Sequence, residues 1–204
     1  DKKSAVKSIE ATVYDVMGNE VKKLKRKDFK DQSASGEGTL FSDNRVLFLE
    51  YTPVNYPFTI IFQSEVTTSN TAFIPKWYPV SEYFVSVEKS LFTINYPDNL
   101  GFKKKEINFL NFKLQKLVDT QNQLNYELTG VVAQKPEDYS VSKLIFPNLM
   151  MGLEKFHLEG VNGYAKDWKE FGNWYSDEIL AGTTELPEET KAKIKALVGD
   201  EKDI

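Results

Sequence analysis

Apolar and polar side chains alternate one for one through much of the first three quarters of this chain, and turn chemistry interrupts them at intervals of about 8–12 residues. Ala5, Ile9, Ala11 and Val13 share one face of a first segment, with Lys7 breaking it near the start. Met17-Gly18-Asn19 turns the chain, and Glu20 to Phe29 continues as a lysine-rich edge strand or loop. Gln32 to Gly38 is small, polar and loop-like, Arg45 to Tyr51 is a strand, and Thr52 to Pro57 is a turn. Phe58, Ile60, Phe62, Ser64 and Val66 then alternate with Thr59, Ile61, Gln63, Glu65 and Thr67. Further strands are expected at Glu82–Glu88, Phe92–Tyr96, Phe102–Ile107, Phe112–Asp119 and Leu124–Ala133, and at Leu144–Pro147 and Phe156–Leu158. Hairpins are expected at Pro97–Gly101 and Asp119–Gln123. Gln134 to Tyr139 is read as a turn. Many short strands with frequent turns predict an antiparallel β-sandwich of two packed sheets.

The period changes after Asn162-Gly163. Trp168, Phe171, Trp174, Tyr175, Ile179 and Leu180 recur mostly at spacings of three and four, which predicts an amphipathic helix over 165–180. Gly182 ends it. Pro187, followed by Glu188 and Glu189, starts a second helix over 187–198, with a narrow stripe of Ile194, Leu197 and Val198 and a stop at Gly199. The expected fold class is therefore mainly β, with two C-terminal α-helices. The expected division is a β-sandwich domain at 1–163 and a helical segment at 164–204.

Composition changes this picture mainly by exclusion. The chain contains no cysteine and one histidine, which removes disulfides, thiolate–zinc sites and thiol catalysis together. Net charge is −4, and only Arg26 and Arg45 are arginines, so the usual readers of phosphate and base edges are scarce and nucleic acid is not expected. No apolar run reaches the roughly 20 residues of a membrane span. The opening residues carry no signal-peptide pattern, and the chain is expected to be an excised mature fragment that starts inside a domain. No catalytic residue, cofactor site or metal site is expected.

Six features bear on chemistry. Lys22, Lys23, Lys25, Arg26, Lys27 and Lys30 could attract an anionic polymer or lipid headgroups, or could guard a sheet edge against aggregation, which the sequence favours. Phe73, Trp77, Tyr78 and Tyr83, stiffened by Pro75 and Pro79, could form a platform for a sugar or peptide, or could plug the end of the core. His157 lies in an apolar strand with no ligand spacing around it and reads as structural. Trp168, Phe171, Trp174 and Tyr175 bring more aromatic surface than a solvated linker tolerates. Trp168, Phe171 and Trp174 are expected to share a face that buries on the sandwich, and Trp168, Phe171, Trp174 and Tyr175 together are the expected domain junction. Asp43 and Arg45 flank a turn and suggest a local ion pair. Glu137-Asp138 reads as a solvated pair in a turn.

Ile9–Tyr14 followed by Met17–Val21, then Leu40–Val46, the long strand ending Glu65-Val66, the segment Phe73-Ile74-Pro75-Lys76-Trp77-Tyr78-Pro79-Val80 and the closing Gly172-Asn173-Trp174-Tyr175 together resemble the domain-of-unknown-function 3857 family. That resemblance implies a β-rich domain, truncated here by at least one N-terminal strand. Its members precede transglutaminase-like cores in exported, periplasmic proteins of Gram-negative bacteria. It implies a non-catalytic accessory domain whose partner is the transglutaminase-like domain of the same polypeptide; a peptide or glycan as a further partner rests on the Phe73, Trp77, Tyr78 and Tyr83 aromatics alone. The alternative is an independent glycan- or peptide-binding sandwich module. A third possibility, a carboxylate-based hydrolase, would need two carboxylates converging in a pocket.

Overall fold

The computed structural model describes residues 4–34, 45–136, 138–139, 141, 145–183 and 185–199. It is mainly β, every strand pairing among these residues is antiparallel, no sheet closes into a barrel, and two helices end the chain. The chain divides into two compact units, Asp1–Asn70 and Thr71–Ile204. The helical segment after residue 163 falls within the second unit.

The first unit holds β1 (Ser4–Tyr14), β2 (Glu20–Lys25), β3 (Lys30–Ser33), β4 (Arg45–Phe48) and β5 (Thr59–Thr68). Its larger sheet has the order β2-β1-β5, and β3 pairs with β4. The β1–β2 turn closes because the Asp15 carboxylate accepts the N–H groups of Met17 and Asn19, both at 2.9 Å, while Gly18 supplies a φ of +80°. Ala11 and Val13 are buried with Leu24 and Phe29, against half-buried Leu49, Tyr51 and Phe58. Both outer strands are largely exposed, and in β5 this holds for every residue despite its alternation, because only β1 flanks it among the described residues.

Lysine-rich β2 is indeed an outer strand. Lys23 pairs with Glu10 at 3.3 Å, Lys30 pairs with Glu50, and the Lys22 ammonium lies 5.9 Å from the Tyr51 ring centre. Arg45 pairs with Asp31 at 2.7 Å, and Arg26 shares that carboxylate at 3.3 Å. Asp43, the partner expected from sequence, lies outside the described residues. So do residues 35–38 of the expected loop, whereas Gln32 and Ser33 belong to β3.

The second unit comprises β6 (Val87–Asn95), β7 (Phe102–Ile107), β8 (Leu114–Asp119), β9 (Gln123–Val131), β10 (Asn148–Leu153), β11 (Lys155–Leu158), β12 (Val161–Tyr164), α1 (Trp168–Trp174) and α2 (Glu188–Val198). β6-β9-β8 form one sheet, β10 pairs with β7, and β11 with β12. Leu124, Tyr126 and Leu128 alternate inward from central β9 and are buried with Trp77, Val80, Phe146 and Leu149. Phe102 of β7 and Met151 of β10 pack on the same core, so two antiparallel sheets meet face to face. The buried Tyr126 hydroxyl donates to Glu106; burial, and then that bond, push the phenol far above its ordinary range.

Three sequence expectations change here. Glu82–Glu88 and Phe92–Tyr96 are not two strands: one strand begins at Val87, and Phe84 before it takes a φ of +63°. Pro97–Gly101 is not a hairpin turn, because β6 pairs with β9 while β7 leaves for β10; the Asp119–Gln123 hairpin does form. Of the strand expected at 144–147, Leu144 lies outside the described residues and Ile145–Pro147 are not strand; the strand begins at Asn148. Its run of Asn, Leu, Met, Met and Gly has no β-branched residue to announce it.

Candidate binding groove

The residues that line the site come from β7, β10, β11 and α1 and from the connecting segments 72–76 and 165–167, all in the second unit, and two pairs of hydrogen bonds set its frame. Trp77 and Leu149 exchange N–H···O bonds of 3.1 and 3.0 Å. Five residues from Ala72 to Lys76 separate Trp77 from Thr71, which is clamped to His157. The Thr71 N–H donates to the His157 carbonyl at 2.8 Å, and the His157 N–H donates to the Thr71 hydroxyl at 2.8 Å. Between these anchors the segment runs beside β10 without pairing to it. Continuing the antiparallel register from Trp77 and Leu149 sets Pro75 against Met151, and proline has no N–H to extend the ladder.

The result is a groove of about 690 Å³. Phe73 and Ile74 line one side, Met150–Leu153 of β10 the other, and Phe156, Trp168 and Phe171 the end. Phe171 ties the walls together, with ring centres 6.2 Å from Phe73, 5.8 Å from Trp168 and 5.7 Å from Phe156. The start of α1 is fixed by a reciprocal cap: the Asp167 carboxylate accepts the Glu170 N–H at 2.9 Å, and the Glu170 carboxylate accepts the Lys166 N–H at 2.8 Å. That cap positions Trp168 at the mouth.

Three lysines rim the groove. Lys103 is engaged by Glu154 at 2.9 Å, which holds the Glu154 carboxyl below its usual value. The Lys166 ammonium lies 5.7 Å from the Tyr164 ring centre, and the Tyr164 hydroxyl raises its pKa. Lys76 has no carboxylate partner among the described residues.

The two aromatic sets read from the sequence are redistributed. Phe73, 67% exposed, leaves its set and joins Trp168 and Phe171. Trp77 is buried, stacked on Phe92 at 5.5 Å and on Tyr126 at 6.2 Å, and its indole N–H donates to the Ser90 hydroxyl at 3.2 Å. Tyr83 packs on Phe146, and Tyr78 is exposed away from the groove lining. In the other set, Trp174 packs edge-on against Phe156 at 4.9 Å and donates to the Asn162 carbonyl at 3.1 Å. Tyr175 opens a π-helical turn, Tyr175–Ile179, and is partly exposed.

Trp168 was expected to bury with Phe171 and Trp174, but it is 82% exposed. It is the first residue of a helix of 7 residues, and α1 meets the β11–β12 hairpin through Phe171 and Trp174, further along. His157 has its Nδ1 3.0 Å from Asn162 Oδ1, a local structural contact. Asp138 lies in a turn and Glu137 outside the described residues. Among the described residues no group of three or more histidine or acidic side chains could hold a metal ion. Sequence reading missed Lys76, Met150, Met151 and Leu153. The adjacent methionines before Gly152 were the available signal, since methionine is common on adaptable binding surfaces.

No curated protein matches this chain, and no solved structure does. A family model described as "Domain of Unknown Function with solved-structure structure (DUF3857)" matches residues 1–130. The match takes in the Phe73–Lys76 wall of the groove and ends before β10 and α1, and before Gly172–Tyr175. The match covers more than half of the chain, which therefore belongs to the domain-of-unknown-function 3857 family.

Proposed function

We propose that this chain is a non-catalytic accessory domain of an exported, periplasmic transglutaminase-like protein. It positions or presents substrate to the catalytic core of the same polypeptide, or packs against that core. The observation that carries this reading is Trp168, 82% exposed at the mouth of a groove with Phe73 and Phe171. A large aromatic held outward by a capped helix favours contact with a further surface. The missing cysteine is consistent with chemistry done elsewhere, because a transglutaminase-type reaction needs a thiolate nucleophile. No helix among the described residues is long and apolar enough to cross a membrane.

The full-length reading frame should encode a Cys…His…Asp arrangement, and Trp168→Ala in that protein should lower its rate on a polypeptide substrate several-fold. A reading frame without such a core, or an unchanged rate, overturns the proposal. A second reading, an independent peptide- or glycan-binding module, is favoured by the groove itself, whose walls are already formed.

A further inference from the structure

Among the described residues, strand β10 has one satisfied edge and one that is bare over most of its length. Leu149 turns its N–H and C=O away from β7 to meet Trp77. Strand alternation then turns the same groups of Met151 and Leu153 outward on that side. The β10–β7 register runs from Asn148 to Leu153 without a bulge, so the alternation is unbroken. Neither Met151 nor Leu153 has an outward hydrogen-bond partner among the described residues. Both residues line the groove, and both are only half-buried.

We infer that the groove binds an extended peptide that adds as a strand to β10, seating an apolar side chain among Phe73, Trp168 and Phe171 and placing a carboxylate at Lys76. The bare groups recur every second residue, about 6.7 Å apart, the repeat of another extended backbone and not of a sugar ring. Gly152 keeps the wall between them low: a Cβ there would meet nothing within 4 Å. Methionines beside it adapt to different side chains. Charge complementarity sets the acidic preference, since Lys76 has no carboxylate partner among the described residues while Lys103 has Glu154. The inference rests on the accessory reading only for the source of the peptide; binding itself belongs to this chain and fails or succeeds separately.

The test uses fluorescence anisotropy of the 204-residue chain with labelled, end-blocked hexapeptides. One peptide carries a central phenylalanine flanked by glutamates, and a second carries lysines in their place. Two more are glutamate peptides N-methylated on alternate amides, one on each edge. The glutamate peptide should bind more tightly than the lysine peptide, and Lys76→Glu should reverse that order. Methylation on one edge should weaken binding about tenfold or more, and on the other edge hardly at all. Trp168→Ala, at an exposed position, should weaken binding without lowering the melting temperature.

No binding of any peptide at about 1 mM overturns the inference. So does equal tolerance of both methylation patterns, or a charge preference that survives Lys76→Glu. Selective binding of a glycan panel in place of peptides also overturns it. A positive result with an unaffected full-length rate would sink the accessory reading alone.

Discussion

Gly163 lies hard against the ring of Phe156: a Cβ built on it would stand 2.2 Å from Phe156 Cε2 and 2.9 Å from Trp174 Cε2. The two residues are also paired across the β11–β12 hairpin. The glycine therefore leaves room for the Phe156 ring against β12 and for Trp174, which packs edge to face with it. Gly163→Ala should destabilise the chain by about 1–3 kcal/mol through overpacking, read as a lowered melting temperature. It should also shift the tryptophan emission, because Trp174 must move with the ring. An unchanged melting curve and spectrum would show that α1 does not dock on this hairpin.

Trp77 and Trp168 are predicted to behave in opposite ways. Trp77 stacks inside the core between Phe92 and Tyr126, so Trp77→Ala should cost about 3–5 kcal/mol. Any loss of ligand binding in that variant would then report on folding. Trp168→Ala should cost less than about 1 kcal/mol, since its ring is mostly in solvent. Urea melts of both variants measure this; comparable losses would mean that the Trp168 ring is packed.

The Asp119 carboxylate accepts from Lys104 at 2.7 Å and from Lys116 at 3.0 Å. Those two bonds, Lys104 first, hold its pKa below the ordinary value, against a smaller upward pull from burial. A depressed folded pKa means that the contribution is fully present above the unfolded value of about 3.9 and is lost as pH falls through the lower folded value. Lys116 is shifted upward by Asp119, so its contribution is full below about pH 10.4 and is lost as pH rises through the folded value. Asp119→Asn should flatten the decline in stability below about pH 4. Chemical denaturation at a series of pH values tests it, and an acid limb as steep as in the parent chain would count against these ion pairs.

Helix α2 buries none of its residues, and Leu197 is 86% exposed and Ile194 45% exposed. Replacing Ile194, Leu197 and Val198 together by serine should leave the melting temperature of this chain nearly unchanged. If the accessory reading holds, the same variant in the longer polypeptide should make the junction to the catalytic core more sensitive to limited proteolysis. If the triple variant unfolds the isolated chain, α2 belongs to the fold of the second unit.

Local pattern determined a great deal. Period-two alternation in β1 and β9 marked the faces that carry Ala11 and Val13 and that carry Leu124, Tyr126 and Leu128, because a strand with one buried face must alternate. Spacing of three and four placed α1 and α2, and Asp119–Gln123 specified its own hairpin. Pattern could not assign β7 to β10 in place of β6, since strand choice depends on residues about 50 positions apart whose side chains look equivalent in sequence. Nor could it divide Phe73 from Trp77, four residues apart in one aromatic segment. Their fates differ because Trp77 is held to β10 by two backbone bonds and turned into the core, while Pro75 breaks the ladder and leaves Phe73 outside. Only tertiary structure could bring Phe73 to Phe171, because the groove between them exists through pairing that stops one residue pair too soon for the strands to close.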